Sequence, residues 1–459
     1  MTLPDDTLPS SFRDPAGYVF RRDGILYRGI RAPGRPHFDA LMSSGLYEEL
    51  VAAGLLINHE EVPSAGDRPG DLYKVIRPEE VPFVSYPYEW SFSQLQDAAL
   101  ATLEIEKRAL ARGLSLVDAS AYNIQFLRGR PVLIDTLSLR KSIDGEPWTA
   151  YRQYCQHFLA PLALMSLRDI RLGQLARVYL DGIPLDLASS LLPLGSRRRP
   201  SLLLHLHLHA RSQKRFEART VPAARRTIGR HALLGLVDSL ESGTRKLRWR
   251  ASGTEWADYY EDTNYSGEGR ADKRRTVEEF AAAVRPRTLW DFGGNVGTFS
   301  RAAAASGASA VSFDIDPACV EKNYLRVRAE KEQNILPLLL DLTNPSPPAG
   351  WENTERMGLF ERGPADAVLA LALIHHLAIG NNVPFDRIAR LLARAGRHLL
   401  VEFVPKSDSQ VKRLLVTRED IFVSYTQAEF ERSFGEIFEI RRRVPLRGSE
   451  RALYVMERR

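Results

Sequence analysis

The sequence predicts an α/β chain in two parts. A doubly wound, mostly parallel sheet occupies the C-terminal half, and an α+β domain precedes it. Three observations carry this. Thr288 to Trp290 is an apolar strand that ends on Asp291 and runs into a glycine-rich loop and an alanine-rich helix. Seventeen residues past Gly297 a second short strand, Ala310 to Phe313, ends on Asp314, the strand–loop–helix–strand order of a nucleotide-binding half-sheet. At 459 residues the chain is also too long for one ordinary core.

The elements follow in order. Val19 to Arg28 reads as a hairpin around Asp23-Gly24. Phe92 to Arg112 reads as a long helix, with further apolar helical stretches at Tyr151–Leu167 and Leu172–Leu192. In Leu-Leu-Leu-His205-Leu-His207-Leu-His209 the histidines share one face of a strand. On a helix, His205 and His209 stand at i and i+4, a spacing that zinc can use. No local acid or cysteine completes a ligand set, so amphipathic packing is expected there. Basic clusters at Arg197–Arg199, Arg211–Arg230 and Arg245–Arg250 mark a junction near residues 230 to 250, and the expected domains are 1–235 and 236–459. Nucleic-acid binding is open to this region, but without interleaved aromatic residues a solvated arginine-rich face is favoured.

Composition sets bounds. Hydrophobic content of 44% and charged content of 26% are those of soluble globular protein. Cys155 and Cys319 lie far apart without metal spacing, which fits a reducing compartment. Neither a signal peptide nor an apolar run of membrane-spanning length is apparent. A cytoplasmic protein that does not enter membranes is expected.

The loop itself is the most informative stretch. Its order is Asp291-x-Gly293-Gly294-Asn295-x-Gly297, not the G-x-G-x-x-G that a pyrophosphate needs, and the acid before it suits a cationic amine. The run resembles motif I of class I S-adenosylmethionine-dependent methyltransferases, with Asn295 in place of the middle glycine. Val311-Ser-Phe-Asp314-Ile-Asp316 resembles motif II, Ile335 to Leu342 motif III, and Ala365 to Leu377 motif IV. His398 to Val404 supplies strand five. Phe438–Leu446 and Arg451–Met456 resemble the family's closing antiparallel pair, so the likeness covers about residues 250 to 459.

This resemblance implies a seven-stranded Rossmann-like sheet and S-adenosylmethionine as cofactor. It implies that the Gly293–Gly297 amides face the methionine carboxylate and Asp291 its amine. Asp314 holds the ribose, while Asp341 and the Leu342 amide read adenine. His375 and His376 follow strand four, where a general base for a hydroxyl acceptor would stand; the alternative is that they pack beneath the cofactor. Glu402, Lys406 and Asp408, at the end of strand five, are candidates for acceptor contacts. The aromatic stretch from Glu255 and Trp256 to Tyr259, Tyr260, Asn264 and Tyr265 is a candidate pocket cover, with core or interdomain packing as the equal alternative. Methyl transfer requires no metal. The arrangement is also similar to bacterial methyltransferases of the rhizobial nodulation host-specificity group.

The first half carries its own pattern. Asp118 is followed by Asn123 after five residues and by Asp135 after a further twelve, across a short hairpin. This resembles the catalytic and metal loops of protein kinase-like folds, including aminoglycoside phosphotransferases, and implies a nucleotide and metal site. The departures are Leu116 where a histidine is usual, Thr136-Leu137 without glycine after Asp135, and no glycine-rich phosphate loop. Lys74 is at most a stand-in for the usual strand lysine. A degenerate kinase-like domain for substrate recognition or regulation is expected. The alternatives are a bifunctional kinase–methyltransferase and a non-catalytic RNA- or protein-binding pair of modules. After strand four His375-His376-Leu377 stands where amino-group methylases of DNA carry Asn-Pro-Pro-Tyr, which favours a small-molecule or other non-DNA acceptor.

Overall fold

The computed structural model describes residues 7–63, 72–211, 228–251, 267–416 and 419–459. The aromatic stretch 255–265 and most of the basic segment 211–230 lie outside the described residues. The chain forms two compact units, residues 1–250 with 349–356, and residues 251–348 with 357–459.

In the first unit, β1 (Gly17–Arg22) and β2 (Ile25–Arg31) make the expected hairpin. Asp23 and Gly24 at its turn both have positive φ, 53° and 79°, as a tight hairpin requires. Helices α1 (Arg35–Ser43) and α2 (Leu46–Ala52) follow, then β3 (His59–Val62) and β4 (Leu72–Pro78). The antiparallel sheet has the order β1-β2-β4-β3. Helix α3 (Phe92–Ala111) starts on a capping box. Ser91 Oγ accepts from the Gln94 N–H, and Gln94 Oε1 accepts from the Ser91 N–H.

Beyond α3, β5 (Leu114–Leu116) pairs with β8 (Leu139–Lys141), enclosing the hairpin of β6 (Ile124–Leu127) and β7 (Arg130–Leu133). The helix expected over 151–167 forms, with a π-helical turn at Cys155–Leu159. The stretch 172–192 does not form one helix. It breaks into Ile170–Gln174, Leu175–Val178 and Leu185–Leu191. Gly182 (φ 93°) and Pro184, which lacks an N–H, interrupt it. The histidine run is helical, and two of its rings are hydrogen-bonded to neighbouring side chains. His205 shares hydrogen bonds with Tyr151 (2.8 Å) and Ser239 (2.9 Å), and His207 with Ser189 (2.7 Å) and Ser196 (2.9 Å). Among the described residues no cluster of His, Cys, Asp or Glu is arranged to hold a metal ion.

The second unit is a seven-stranded sheet. Its strands are β9 (Thr288–Phe292), β10 (Ser309–Asp314), β11 (Ile335–Leu339), β12 (Ala365–Ala370), β13 (Gly396–Phe403), β14 (Phe438–Pro445) and β15 (Ala452–Arg458). The order is β11-β10-β9-β12-β13-β15-β14, parallel through β13, with β15 antiparallel between β13 and β14. Strand alternation divides the core. Leu289, Ala310, Ala367, Leu400 and Leu453 pack with Phe280 and Phe299 in one cluster. Trp290 and Phe292 alternate with Leu289 along β9; Phe292 stacks on Phe313 and Trp290 meets it edge-on. The strand order reverses at β9 and β12, so a crevice opens at their carboxyl ends, where open α/β sheets bind ligands.

Candidate active site

The glycine loop leaves β9 at that crevice. Gly293 (φ 74°), Asn295 (φ 51°) and Gly297 (φ 76°) are all left-handed. Asparagine tolerates that region better than other side chains, which accounts for its place in the glycine series. The glycines serve different ends. A Cβ on Gly294 would strike Ser312 and crowd the Asp291 carboxylate, and one on Gly297 would sit 2.6 Å from the Asn323 amide. These two permit the chain to pack on itself. At Gly293 a Cβ would meet only Leu373, at 3.4 Å, so its backbone face is the open one.

The loop amides do not face outward as expected. Gly293 and Gly294 N–H both donate to the Phe313 carbonyl (2.9 Å each), Asn295 N–H to Asp314 Oδ2 (2.8 Å), Val296 N–H to Asn295 Oδ1 (2.8 Å), and Gly297 N–H to the Gly294 carbonyl (2.8 Å). The left-handed turns fold them inward, onto partners within the chain. A loop with its donors spent and carboxylates beside it is unsuited to a pyrophosphate and suited to a cation or a diol.

Those carboxylates are Asp291 and Asp314. Asp291 is 1% exposed and accepts from Ser300 Oγ at 2.6 Å; burial pushes its carboxyl up to about 6. Asp314 ends β10. Besides the Asn295 N–H it accepts from the Asp316 N–H at 2.8 Å, and burial pushes it up to about 6. Ile315, which the sequence reading passed over, is 57% exposed beside it. Asp341, beyond β11, accepts from the Thr343 N–H (2.8 Å) and hydroxyl (2.6 Å), and Leu342 beside it is half-buried.

Ala372 takes a left-handed φ of 52° as the chain leaves β12, a position that costs a residue with a Cβ on the order of 1 kcal/mol. Its turn brings in His375 and His376, whose rings lie 4.1 Å apart. His375 is 1% exposed, and its Nδ1 has no hydrogen-bond partner among the described residues. Burial foremost, then His376, Arg451 and Lys273, hold His375 well below the usual imidazole range; burial and Arg451 bring His376 to about 4. Both rings are neutral at pH 7.

A charged group the sequence did not reveal lies at the ends of the same strands. Lys273, on the helix Gly267–Val284, is 4% exposed and pairs at 2.7 Å with fully buried Glu402 at the end of β13. Arg451 approaches Glu402 at 3.6 Å and holds Asp408 by a bidentate pair of 2.8 and 2.9 Å. Lys406 turns away to Asp420 at 2.7 Å. Glu402 and Asp408 thus have cationic protein partners, and Lys406 an anionic one. Lys273 was hidden in the run Asp-Lys-Arg-Arg, which reads as a solvated helix face.

In the first unit, Asp118, Asn123 and Asp135 are brought together. Burial foremost raises the Asp118 carboxyl; the Asp135 charge adds to this, while Gln153 and Asn123 facing it oppose it. Asp135 accepts from the Leu137 N–H (3.0 Å) and Ser138 Oγ, and from Arg28 at 2.7 Å; Arg28 also bonds Asp14 at 2.8 Å. Lys74 pairs with Glu61 on the neighbouring strand at 2.6 Å.

Residues 265–436 match the family described as a methyltransferase domain. The chain is 35% identical over 456 residues to nodulation protein NoeA of Rhizobium meliloti (strain 1021), covering 98% of this chain and 95% of that one. Among solved structures it is similar to magnesium protoporphyrin IX methyltransferase from Synechocystis PCC 6803 with bound S-adenosylhomocysteine. That match has 18% identity, coverage of 44% of this chain and 92% of that one, and a TM-score of 0.31. Another is the bifunctional kinase-methyltransferase WbdD, with 16% identity, coverage of 46% and 44%, and a TM-score of 0.29.

Proposed function

Since the chain belongs to the family of nodulation protein NoeA and carries a class I S-adenosylmethionine-dependent methyltransferase domain, we propose that its acceptor is a small molecule or other non-DNA substrate. The observation that carries this reading is the set at the ends of β9, β10 and β12: Asp291, Asp314 and the neutral His375–His376 pair around a loop with inward amides. The bound cofactor supplies a methyl already activated on a sulfonium. Asp291 faces its amine, and Asp314, whose oxygens keep lone pairs beyond the two amides they serve, receives the ribose hydroxyls. Ile315 offers an apolar surface to the adenine, while Asp341 and the Leu342 amide meet its edge. For a hydroxyl acceptor, the proton released as the methyl–oxygen bond forms passes to His375, a neutral imidazole with an open Nδ1.

The assignment of residues 1–235 to substrate recognition or regulation, on a degenerate kinase-like domain, rests on two supports. One is the order of α3, β5, the Asp118 loop, the β6–β7 hairpin and Asp135. The other is Arg28, whose cation meets Asp135 where a phosphotransferase needs a metal. The same contact speaks against the bifunctional alternative. Cys155 and Cys319, both buried and not joined in a disulfide, accord with a cytoplasmic location. Calorimetric titration of the full chain with S-adenosylmethionine, and separately with ATP and magnesium, tests both parts. The reading requires binding of the first, at micromolar affinity, about −8 kcal/mol, and weak binding or none of the second.

A further inference from the structure

Asp291 is a carboxylate taken almost wholly out of water, and such a group favours its neutral form unless a cation stands near. Lys273 supplies such a cation. Lys273 Nζ lies 2.7 Å from Glu402 and 4.6 Å from the centre of the Phe299 ring. Phe299 immediately precedes Ser300, whose hydroxyl donates to Asp291 at 2.6 Å. Helix Gly267–Val284, the helix Thr298–Ala304 that follows the glycine loop, and the end of β13 therefore meet around one buried ammonium. A lysine is rarely buried unless paired. One so placed, beside the loop of the methyl-transfer site, has more to do than hold a helix to a sheet.

We propose that Lys273 is a positioning residue for methyl transfer: pinned by Glu402 and seated on Phe299, its ammonium compensates the Asp291 carboxylate beneath the glycine loop. The inference rests on the reading in which Asp291 faces the cofactor's amine. The described titratable groups around the pair include Glu402, Arg451, Asp314 and the neutral His375, which also feels Lys273. Asp291 feels Lys273, which favours its ionised form, and it interacts with Asp314; Ser300 bonds it. Lys273 feels Glu402 and Asp291, which favour its charge, and Arg451, which opposes it. An ionised Asp291 attracts a cationic amine and a protonated one does not. Cofactor affinity therefore strengthens as pH rises through about 6, and loss of Lys273 moves that transition upward.

The probe is S-adenosylhomocysteine, which keeps the amine, titrated calorimetrically into the full chain between pH 5 and 8. Lys273→Gln retains a donor for Glu402 without the charge. Lys273→Met with Glu402→Gln removes both charges and leaves no uncompensated acid, so one of the two reports if the other does not fold. Either is expected to shift the pH midpoint upward by about one unit, weakening binding roughly tenfold near pH 5, about twofold at pH 7 and hardly at all at pH 8. Lys273→Arg restores the wild-type midpoint. A merely structural lysine would weaken binding equally at every pH. A uniform loss, or an unmoved midpoint, overturns the proposal. Asp291→Asn separates the two layers. If it abolishes the pH dependence while the Lys273 variants leave it unmoved, only the role of Lys273 fails. If it changes neither affinity nor pH dependence, the placement of Asp291 by the cofactor fails first.

Discussion

The backbone N–H of Asn295 donates to Asp314 Oδ2 at 2.8 Å, so the acid at the end of the second strand holds the loop that follows the first. One carboxylate thereby shapes the loop and offers its remaining lone pairs to a ligand. Asp314→Ala removes both roles. S-adenosylhomocysteine binding is expected to weaken by roughly 10- to 100-fold, about the 1.5 to 3 kcal/mol that hydrogen bonds to a charged group carry. Calorimetry at pH 7.5 measures it, and undiminished affinity would sink the ribose assignment.

The loop glycines are expected to fail in distinguishable ways. Gly297→Ala forces a Cβ into a left-handed position against Asn323, so the melting temperature drops together with cofactor affinity. Gly293→Val meets only Leu373 but fills the open face, so binding is lost with a smaller loss of stability. Thermal melts with and without S-adenosylhomocysteine separate the two. Equal binding by Gly293→Val and wild type would contradict the placement of the cofactor.

The histidine pair makes a kinetic prediction. Once an acceptor is in hand, His375→Ala should lower turnover by roughly 10² to 10⁴ with little change in cofactor affinity. His376→Ala, on the half-buried neighbour, should cost less. If His375→Ala loses cofactor binding in step with activity, the ring packs the site and does not take the proton.

The first unit is expected to weaken in mild acid. Half-buried His59 and buried His157 and His205 are neutral and brought to about 4, against about 6.5 in an unfolded chain. Below 6.5 the unfolded state takes up protons that the folded state refuses. The stability they contribute is complete above pH 6.5 and falls away toward pH 4. Glu106, pushed up to about 8 by burial, and Asp118, also raised, act in the opposite sense. His205→Gln isolates one histidine, because those acids are common to both proteins. Its urea midpoint should depend less steeply on pH between 6.5 and 4 than the wild type's. Parallel curves would refute the role of His205.

The Arg28–Asp135 contact predicts the outcome of a phosphotransfer assay. With a guanidinium on the would-be metal acid, the full chain should neither hydrolyse ATP nor transfer its phosphate at any magnesium concentration. Measurable, magnesium-dependent turnover that Asp135→Asn abolishes would replace this reading with the bifunctional one.

Much of the second unit was legible because its signals are local. A strand that is apolar on both faces, a left-handed turn that needs glycine or asparagine, and an acid at a strand end each depend on a few consecutive residues. Asp291, Asp314 and the histidine pair stand at the crevice for that reason. The direction of the loop amides was not legible, because it depends on the Phe313 carbonyl of the neighbouring strand. Glu402 and Lys406, equally plausible as acceptor contacts in sequence, differ once their partners, Lys273 and Asp420, are in place.

The sequence by itself determined the alternation of strands and helices, the glycine loop, the two strand-end acids and the position of the histidines, since periodicity and backbone conformation are encoded within a few residues. Only the tertiary structure decided what each charge meets: Lys273 with Glu402, Arg451 with Asp408, and Arg28 with Asp135. These pairs are separated by 129, 43 and 107 positions in the chain. Coulomb forces act across space and not along sequence, and a lysine in a helical charge run carries no mark of whether its face turns to water or to a buried carboxylate.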